Sequence, residues 1–127
     1  MTLRPPRAGG LSVIMDKVFA YKFSKIYGLL VAKAVRKERS EDEVIACISW
    51  LTGYSPEDVR RESQGELTMK EFFTGAPCMN EKRALINGSV CGVKLAEIED
   101  PLYKDIRILD KLIDDLAKGK SLEKILP

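Results

Sequence analysis

The stretch DPLYKDIRILDKLIDDLAK, residues 100–118, decides the fold class of this 127-residue chain. Asp100 is placed to cap a helix, Pro101 suits the first helical position, and Gly119 follows as a stop signal. Between them, apolar residues recur at alternating intervals of four and three, which predicts a long α-helix with one buried face. That face consists of Leu102, Ile106, Leu109, Ile113 and Leu116, broadened by Ile108 and Leu112.

Shorter stretches upstream carry the same start and stop signals. Ser40 and Thr68 each open a capping box with a glutamate three residues later, and Ser55 precedes a proline suited to a first helical turn. These signals predict additional helices over about residues 24–39, 41–52, 56–64, 69–74 and 81–86, and a terminal turn over 121–126. The sequence therefore predicts a mainly all-α fold, a compact bundle of five or six short helices.

The first of these helices has an apolar face that is less sharply defined. Its buried side is expected to consist of Phe23, Ile26, Tyr27, Leu30 and Ala34, widened by Leu29 and Val31.

The N-terminal residues 1–14, MTLRPPRAGGLSVI, contain a proline pair and a glycine pair and are interpreted as a disordered leader. The remaining residues, 15–127, are long enough for a single helical domain with one hydrophobic core. Short extended segments are expected near 17–23, where aromatic residues alternate, and near 89–95.

Composition argues against several kinds of functional site. The chain has no histidine, so neither a Ser-His-Asp triad nor a Cys-His pair can form. Cys47, Cys78 and Cys91 are odd in number and lack C-x-x-C spacing, which predicts reduced thiols and no zinc centre. Glycine-rich phosphate loops are absent, so no cofactor or metal is expected. No apolar run is long enough for a membrane span or a signal peptide, and we expect a cytoplasmic protein without membrane contact.

Charge is distributed unevenly along the chain. Residues 1–40 hold nine Lys or Arg and two acids, a net charge of +7, whereas residues 41–127 have a net charge of −5. Two interpretations are open for the cations that end the first predicted helix: they stabilise the helix C-terminus and balance acids in the same domain, or they bind nucleic-acid phosphates. These cations are Lys33, Arg36, Lys37 and Arg39.

Four further residues are candidates for a binding surface. Trp50 and Tyr54 lie on either side of a predicted helix end, and they either form an exposed recognition pair or pack into the core. Cys91 lies in an irregular segment, where Gly92 would let the backbone approach a ligand. Alternatively, Cys91 is a small buried hydrophobe.

Carboxylates cluster ahead of the long helix, at Glu97, Glu99 and Asp100. Such clusters can bind divalent cations, but helix capping and the helix dipole explain acids at this position equally well. An enzyme that works through these carboxylates or through Cys91 is one functional alternative. A nucleic-acid-associated protein that uses the basic N-terminal third is another.

The leading prediction is a non-enzymatic interaction module, monomeric or homodimeric. It rests on the missing catalytic and phosphate-binding patterns and on the apolar stripe of residues 101–118. That stripe matches a coiled-coil seam as well as the seam of a helical bundle, so it packs inside its own domain or pairs with a second copy.

Several motifs along the chain carry a family resemblance. They are WLTGY at 50–54, VCGV at 90–93, IEDPL at 98–102 and LDKLIDDLAKGK at 109–120. Together they resemble a family of short prokaryotic proteins, the domain of unknown function family 2200, over about residues 17–126. The family has no assigned activity, so the resemblance implies no catalytic residue or cofactor. Where the resemblance leads us to expect a cysteine before Trp50, this chain has Ser49.

Overall fold

The computed structural model describes the backbone of residues 5–127 and the side chains from residue 13 onward. Helices in this part of the chain are α1 (Pro5–Ala20), α2 (Phe23–Arg36), α3 (Glu41–Thr52), α4 (Pro56–Glu62), α5 (Met69–Thr74), α6 (Pro101–Ala117) and α7 (Leu122–Ile125). Strands β1 (Ser89–Val90) and β2 (Val93–Lys94) form an antiparallel hairpin between 3-10 helices at Glu81–Leu85 and Leu95–Glu97. The expected mainly all-α fold is confirmed, and the extended segment near 89–95 is this hairpin.

Helix α6 lies at the centre of the fold. Its apolar stripe is buried, with α2, α3, α5, α7 and β1 packed around it. Burying each large apolar side chain of this kind contributes about 1.5–3 kcal/mol relative to leaving it exposed. Because its own chain covers the stripe, the stripe serves as the seam of the domain core, which is the first of the two interpretations of this helix.

Local capping sets the helix boundaries. The side-chain oxygens of Ser40 and Thr68 accept hydrogen bonds from the N–H groups of Glu43 and Glu71, whose carboxylates accept from the capping residues in return. Both predicted capping boxes are thereby confirmed, each worth about 1 kcal/mol. Gly53 ends α3 with φ at +82°, and a Cβ atom there would lie 2.8 Å from the carbonyl oxygen of Cys78, in the segment that follows α5.

The N-terminal region differs from the expected disordered leader and extended segment. Helix α1 covers Pro5–Ala20, and only residues 1–4 of the predicted leader lie outside the described chain. Proline is tolerated in a first helical turn, so the Pro5–Pro6 pair does not prevent the helix. Val18 and Phe19 pack against the core, a tertiary contact that local patterns do not reveal. Extended pairing in this region occurs at Lys22, which forms a single bridge with Thr68.

None of the described helices combines the length and the apolarity needed to cross a lipid bilayer.

Candidate functional site

Arg39, a predicted phosphate ligand, is held inside the fold. Its Nη1 donates hydrogen bonds to the carbonyl oxygens of Leu116 and Lys120 at 3.0 and 2.8 Å, and its Nη2 lies 2.5 Å from Oε2 of Glu43. The guanidinium therefore ties Glu43 on α3 to the last turn of α6 and to the residues just beyond it. Hydrogen bonds from Arg39 and Ser40 lower the pKa of Glu43 to about 2.

Lys33 also points toward α6. Its Nζ lies 3.1 Å from Oδ1 of Asp114, which pairs in addition with Lys118 at 3.0 Å. Burial alone would raise the pKa of Asp114, but hydrogen bonds from Lys118 and Lys33 outweigh it and leave that pKa below its ordinary value. Arg36 and Lys37 are exposed. The predicted four-residue nucleic-acid surface is therefore divided between two cations used in the fold and two that face solvent.

Trp50 and Tyr54 do not form an exposed pair. The Tyr54 hydroxyl donates to the carbonyl oxygen of Phe72 at 2.7 Å, and the Tyr54 and Phe72 rings stack with their centroids 4.4 Å apart. Burial raises the pKa of Tyr54. Trp50 is half-buried against the core, and its carbonyl oxygen accepts from Nδ2 of Asn80 at 3.2 Å. For both residues the structure agrees with the packing interpretation.

Cys91 and Gly92 form the two-residue loop of the β1–β2 hairpin. Their φ angles are +51° and +80°, the pattern of a type I′ turn. Cys91 is exposed, which corrects the expectation of a small buried hydrophobe. By contrast, Cys47 is fully buried, and burial raises the pKa of its thiol to about 12.

The outer side of α2 carries apolar residues that other described residues leave exposed. Leu29 and Val35 are 58% and 54% exposed. Gly28 and Ala32 are exposed as well, and a Cβ atom on Gly28 would have no neighbour within 4 Å. Spacings of three and four place these residues on one side of the helix. We call Gly28, Leu29, Ala32 and Val35 the α2 outer face; it corrects the expectation that Leu29 widens the buried side.

Cations lie at both ends of the α2 outer face. Lys25 precedes it by one turn, and Arg36 and Lys37 follow at the other end. Within the described chain these three cations form no ion pair. The Nζ atom of Lys25 instead lies 5.0 Å from the centroid of the Tyr21 ring. The surface is therefore apolar in its middle and positive at its ends.

The family model described as "Uncharacterized protein conserved in bacteria (DUF2200)" matches residues 17–127. This chain is a DUF2200 protein. The chain is similar to the crystal structure of uncharacterized protein SP1917, with a TM-score of 0.83 and 43% sequence identity. That match covers 87% of this chain and 90% of that one. No curated protein matches this DUF2200 chain.

One buried hydroxyl marks a departure from the pattern expected for DUF2200. Ser49, where we expect a cysteine, has its Oγ buried without a hydrogen-bond partner among the residues that the structure describes. A thiol at this position would lose less on burial, because cysteine behaves as a small hydrophobe. Ser49 is therefore a packing position beside Trp50.

Proposed function

We propose that this DUF2200 protein is a non-enzymatic interaction module of the cytoplasm that binds an acidic, apolar helical segment of another protein on the α2 outer face. The observation that carries the proposal is the exposure of Leu29 and Val35, both more than half exposed on one side of a helix. Contiguous exposed apolar residues rimmed by polar ones are typical of protein-binding surfaces.

The shape of the face fits a helical partner. Gly28 and Ala32 carry no large side chain, so the backbone of a docked helix can approach α2 closely between Leu29 and Val35. An amphipathic helix binds such a surface with apolar residues spaced by three and four.

The positive charges at the ends of the α2 outer face favour an acidic partner. Acidic residues that flank the apolar face of the partner would be complementary to Lys25 at one end and to Arg36 and Lys37 at the other. Two copies of this chain that paired through the α2 outer face would bring like charges into the interface. Charge therefore favours a different protein over a homodimer.

Nucleic acid is a poorer fit to the same surface. Phosphates would have to lie beside Leu29 and Val35, where the apolar groups offer no hydrogen bonds. Lys33 and Arg39 would have to leave carboxylate partners to reach a phosphate.

A photo-crosslinking residue at position 32 tests the proposal in cells of the source organism. Position 85 is the control, because Leu85 is exposed elsewhere on the molecule. The expected result is a crosslink specific to position 32, to a peptide with apolar residues at helical spacing and acidic flanks. Crosslinks to nucleic acid, to a second copy of this chain, or at equal yield from both positions would overturn the proposal.

Fluorescence anisotropy with a synthetic version of the crosslinked peptide completes the test. The double variant Leu29→Ser/Val35→Ser is expected to bind at least about tenfold more weakly than the natural chain, since two apolar contacts are lost. Leu85→Ser is the matched control and should bind unchanged. Equal binding by all three chains would contradict the assignment of the α2 outer face.

A further inference from the structure

A cavity lined mainly by polar residues lies between the last turns of α6, helix α7 and the loop that leads into β1. Its volume is about 260 Å³, just below the range of about 300–1,000 Å³ that is usual for small-molecule sites, so it suits a compact ligand. None of its lining residues belongs to the α2 outer face. The residues that line it include Asn87, Gly88, Lys111, Asp115, Lys120 and Lys124.

Positive charge is in excess in this cavity. Lys111 and Lys120 share a single carboxylate oxygen, since their Nζ atoms lie 3.0 and 3.6 Å from Oδ1 of Asp115. Lys124 is exposed and forms no ion pair with another described residue. Even with the carboxylate of Pro127, another lining residue, counted beside Asp115, three positive groups face two negative ones.

Lys111 is the lysine that the fold holds in place. Its side chain is only 14% exposed, and that of its partner Asp115 is 13% exposed. Gly88 packs against it so closely that a Cβ atom on Gly88 would lie 3.3 Å from Cε and 3.6 Å from Nζ of Lys111. A side chain at position 88 would therefore press on the ammonium group, and the glycine leaves that group open toward the loop.

The cavity has hydrogen-bond donors that the fold does not use. Of the three N–H groups on Nζ of Lys111, one donates to Asp115 at 3.0 Å. Lys120 is too far from the same oxygen for a hydrogen bond. The backbone N–H groups of Asn87 and Gly88 donate to no backbone carbonyl of another described residue. Donors thus outnumber acceptors, and the only acidic side chain of the lining is already shared by two lysines.

We propose that this cavity binds the phosphate group of a small phosphate monoester. A monoester phosphate carries two negative charges and three terminal oxygens, which match the three ammonium groups of Lys111, Lys120 and Lys124. Lys111 is fixed by Asp115, whereas Lys120 and Lys124 are exposed, and their flexible stems let them close on the bound phosphate. Leu85, a lining residue that is 64% exposed, contacts the organic part of the ligand.

Amide chemical-shift titration of the full chain with glycerol 3-phosphate tests the proposal, at a constant ionic strength of about 0.15 M so that weak attraction between exposed charges is screened. Glycerol and malonate are the ligand controls, because the first is neutral and the second carries its two charges on separate carboxylates. We expect saturable shifts centred on residues 85–88 and 120–125, weaker binding of malonate and no binding of glycerol. Equal binding of malonate, shifts spread over all lysine-bearing surfaces, or no saturation in the millimolar range would overturn the proposal.

Two double variants separate a site from a general effect of charge. Lys120→Gln/Lys124→Gln is expected to weaken binding of glycerol 3-phosphate about tenfold, because two of the three ammonium groups are lost. Lys37→Gln/Lys70→Gln removes the same charge from exposed positions outside the cavity and should leave binding unchanged. Thermal unfolding checks that both chains are folded. Equal weakening in the two variants, or none in either, would refute the assignment of the cavity.

Discussion

The hydroxyl of Tyr27 on α2 donates a 2.5 Å hydrogen bond to Oε2 of Glu41 in the first turn of α3. Tyr27 is 6% exposed, and burial together with the Glu41 carboxylate raises the pKa of its phenol. This bond joins two helices that are separated by a short turn containing Ser40. It ties the start of α3 to the side of α2.

Removing the Tyr27 hydroxyl tests the strength of this bond. We expect Tyr27→Phe to lower the free energy of unfolding in urea by about 1–2 kcal/mol, because a hydrogen bond to a charged acceptor is lost. In a chain that already carries Glu41→Gln, the same change should cost about half as much. Equal costs in the two backgrounds would show that the hydroxyl and the carboxylate are not energetically coupled.

Two arginines near the end of α2 should differ strongly in their effect on stability. Arg39→Met removes the bonds to two carbonyl oxygens and to Glu43, and we expect it to lower the urea midpoint of unfolding clearly. Arg36→Met is the control, because Arg36 is exposed, and should change stability by no more than about 0.5 kcal/mol. Similar losses for both variants would contradict the structural role of Arg39.

Glu43 should make the free energy of unfolding depend on pH in the acidic range. Its folded-state pKa is lowered to about 2 from an ordinary value of 4.5, so its contribution is complete above the unfolded value and is lost as pH falls toward 2. Glu43→Gln should therefore flatten the decline of unfolding free energy between these pH values. Glu57→Gln serves as the control, and an identical decline in both variants would exclude Glu43 as its source.

The same change at two serines should have opposite effects. Ser49→Ala removes a buried hydroxyl without a partner and is expected to raise the unfolding free energy by about 0.5–1 kcal/mol. Ser55→Ala removes the cap of α4, where Oγ accepts the N–H of Asp58 at 3.1 Å, and should cost about 1 kcal/mol. Thermal unfolding of both variants shows whether each change raises or lowers stability. A loss of stability in Ser49→Ala would be inconsistent with an unpaired hydroxyl.

Features that depend on local chemistry could be predicted from the sequence. The side chains of Ser40, Thr68 and Asp100 each accept a hydrogen bond from the backbone N–H three residues later. Each capping signal is therefore complete within one helical turn. The stripe of α6 is likewise readable because charged residues separate its apolar positions. The sequence leaves burial of Tyr54 as one of two open interpretations, because its partner Phe72 is distant in sequence and no local pattern joins the two residues.

Features that depend on distant contacts could not be predicted. The apolar pattern of α2 places Leu29 in the core, and only the packing of α2 against α3, α5 and α6 determines which side is buried. Lys33 and Arg39 look like Arg36 and Lys37 in sequence, and they differ because their partners lie on or near α6.

The central position of α6 has a consequence for how the chain is made. Helices α2, α3 and α5 leave the ribosome before the element against which they pack has been synthesised. During that interval the apolar sides of these helices lack the surface that α6 later supplies, so the nascent chain is open to aggregation. Productive folding therefore waits for residues 101–117, and a chain that stops before them is a substrate for chaperones and proteases.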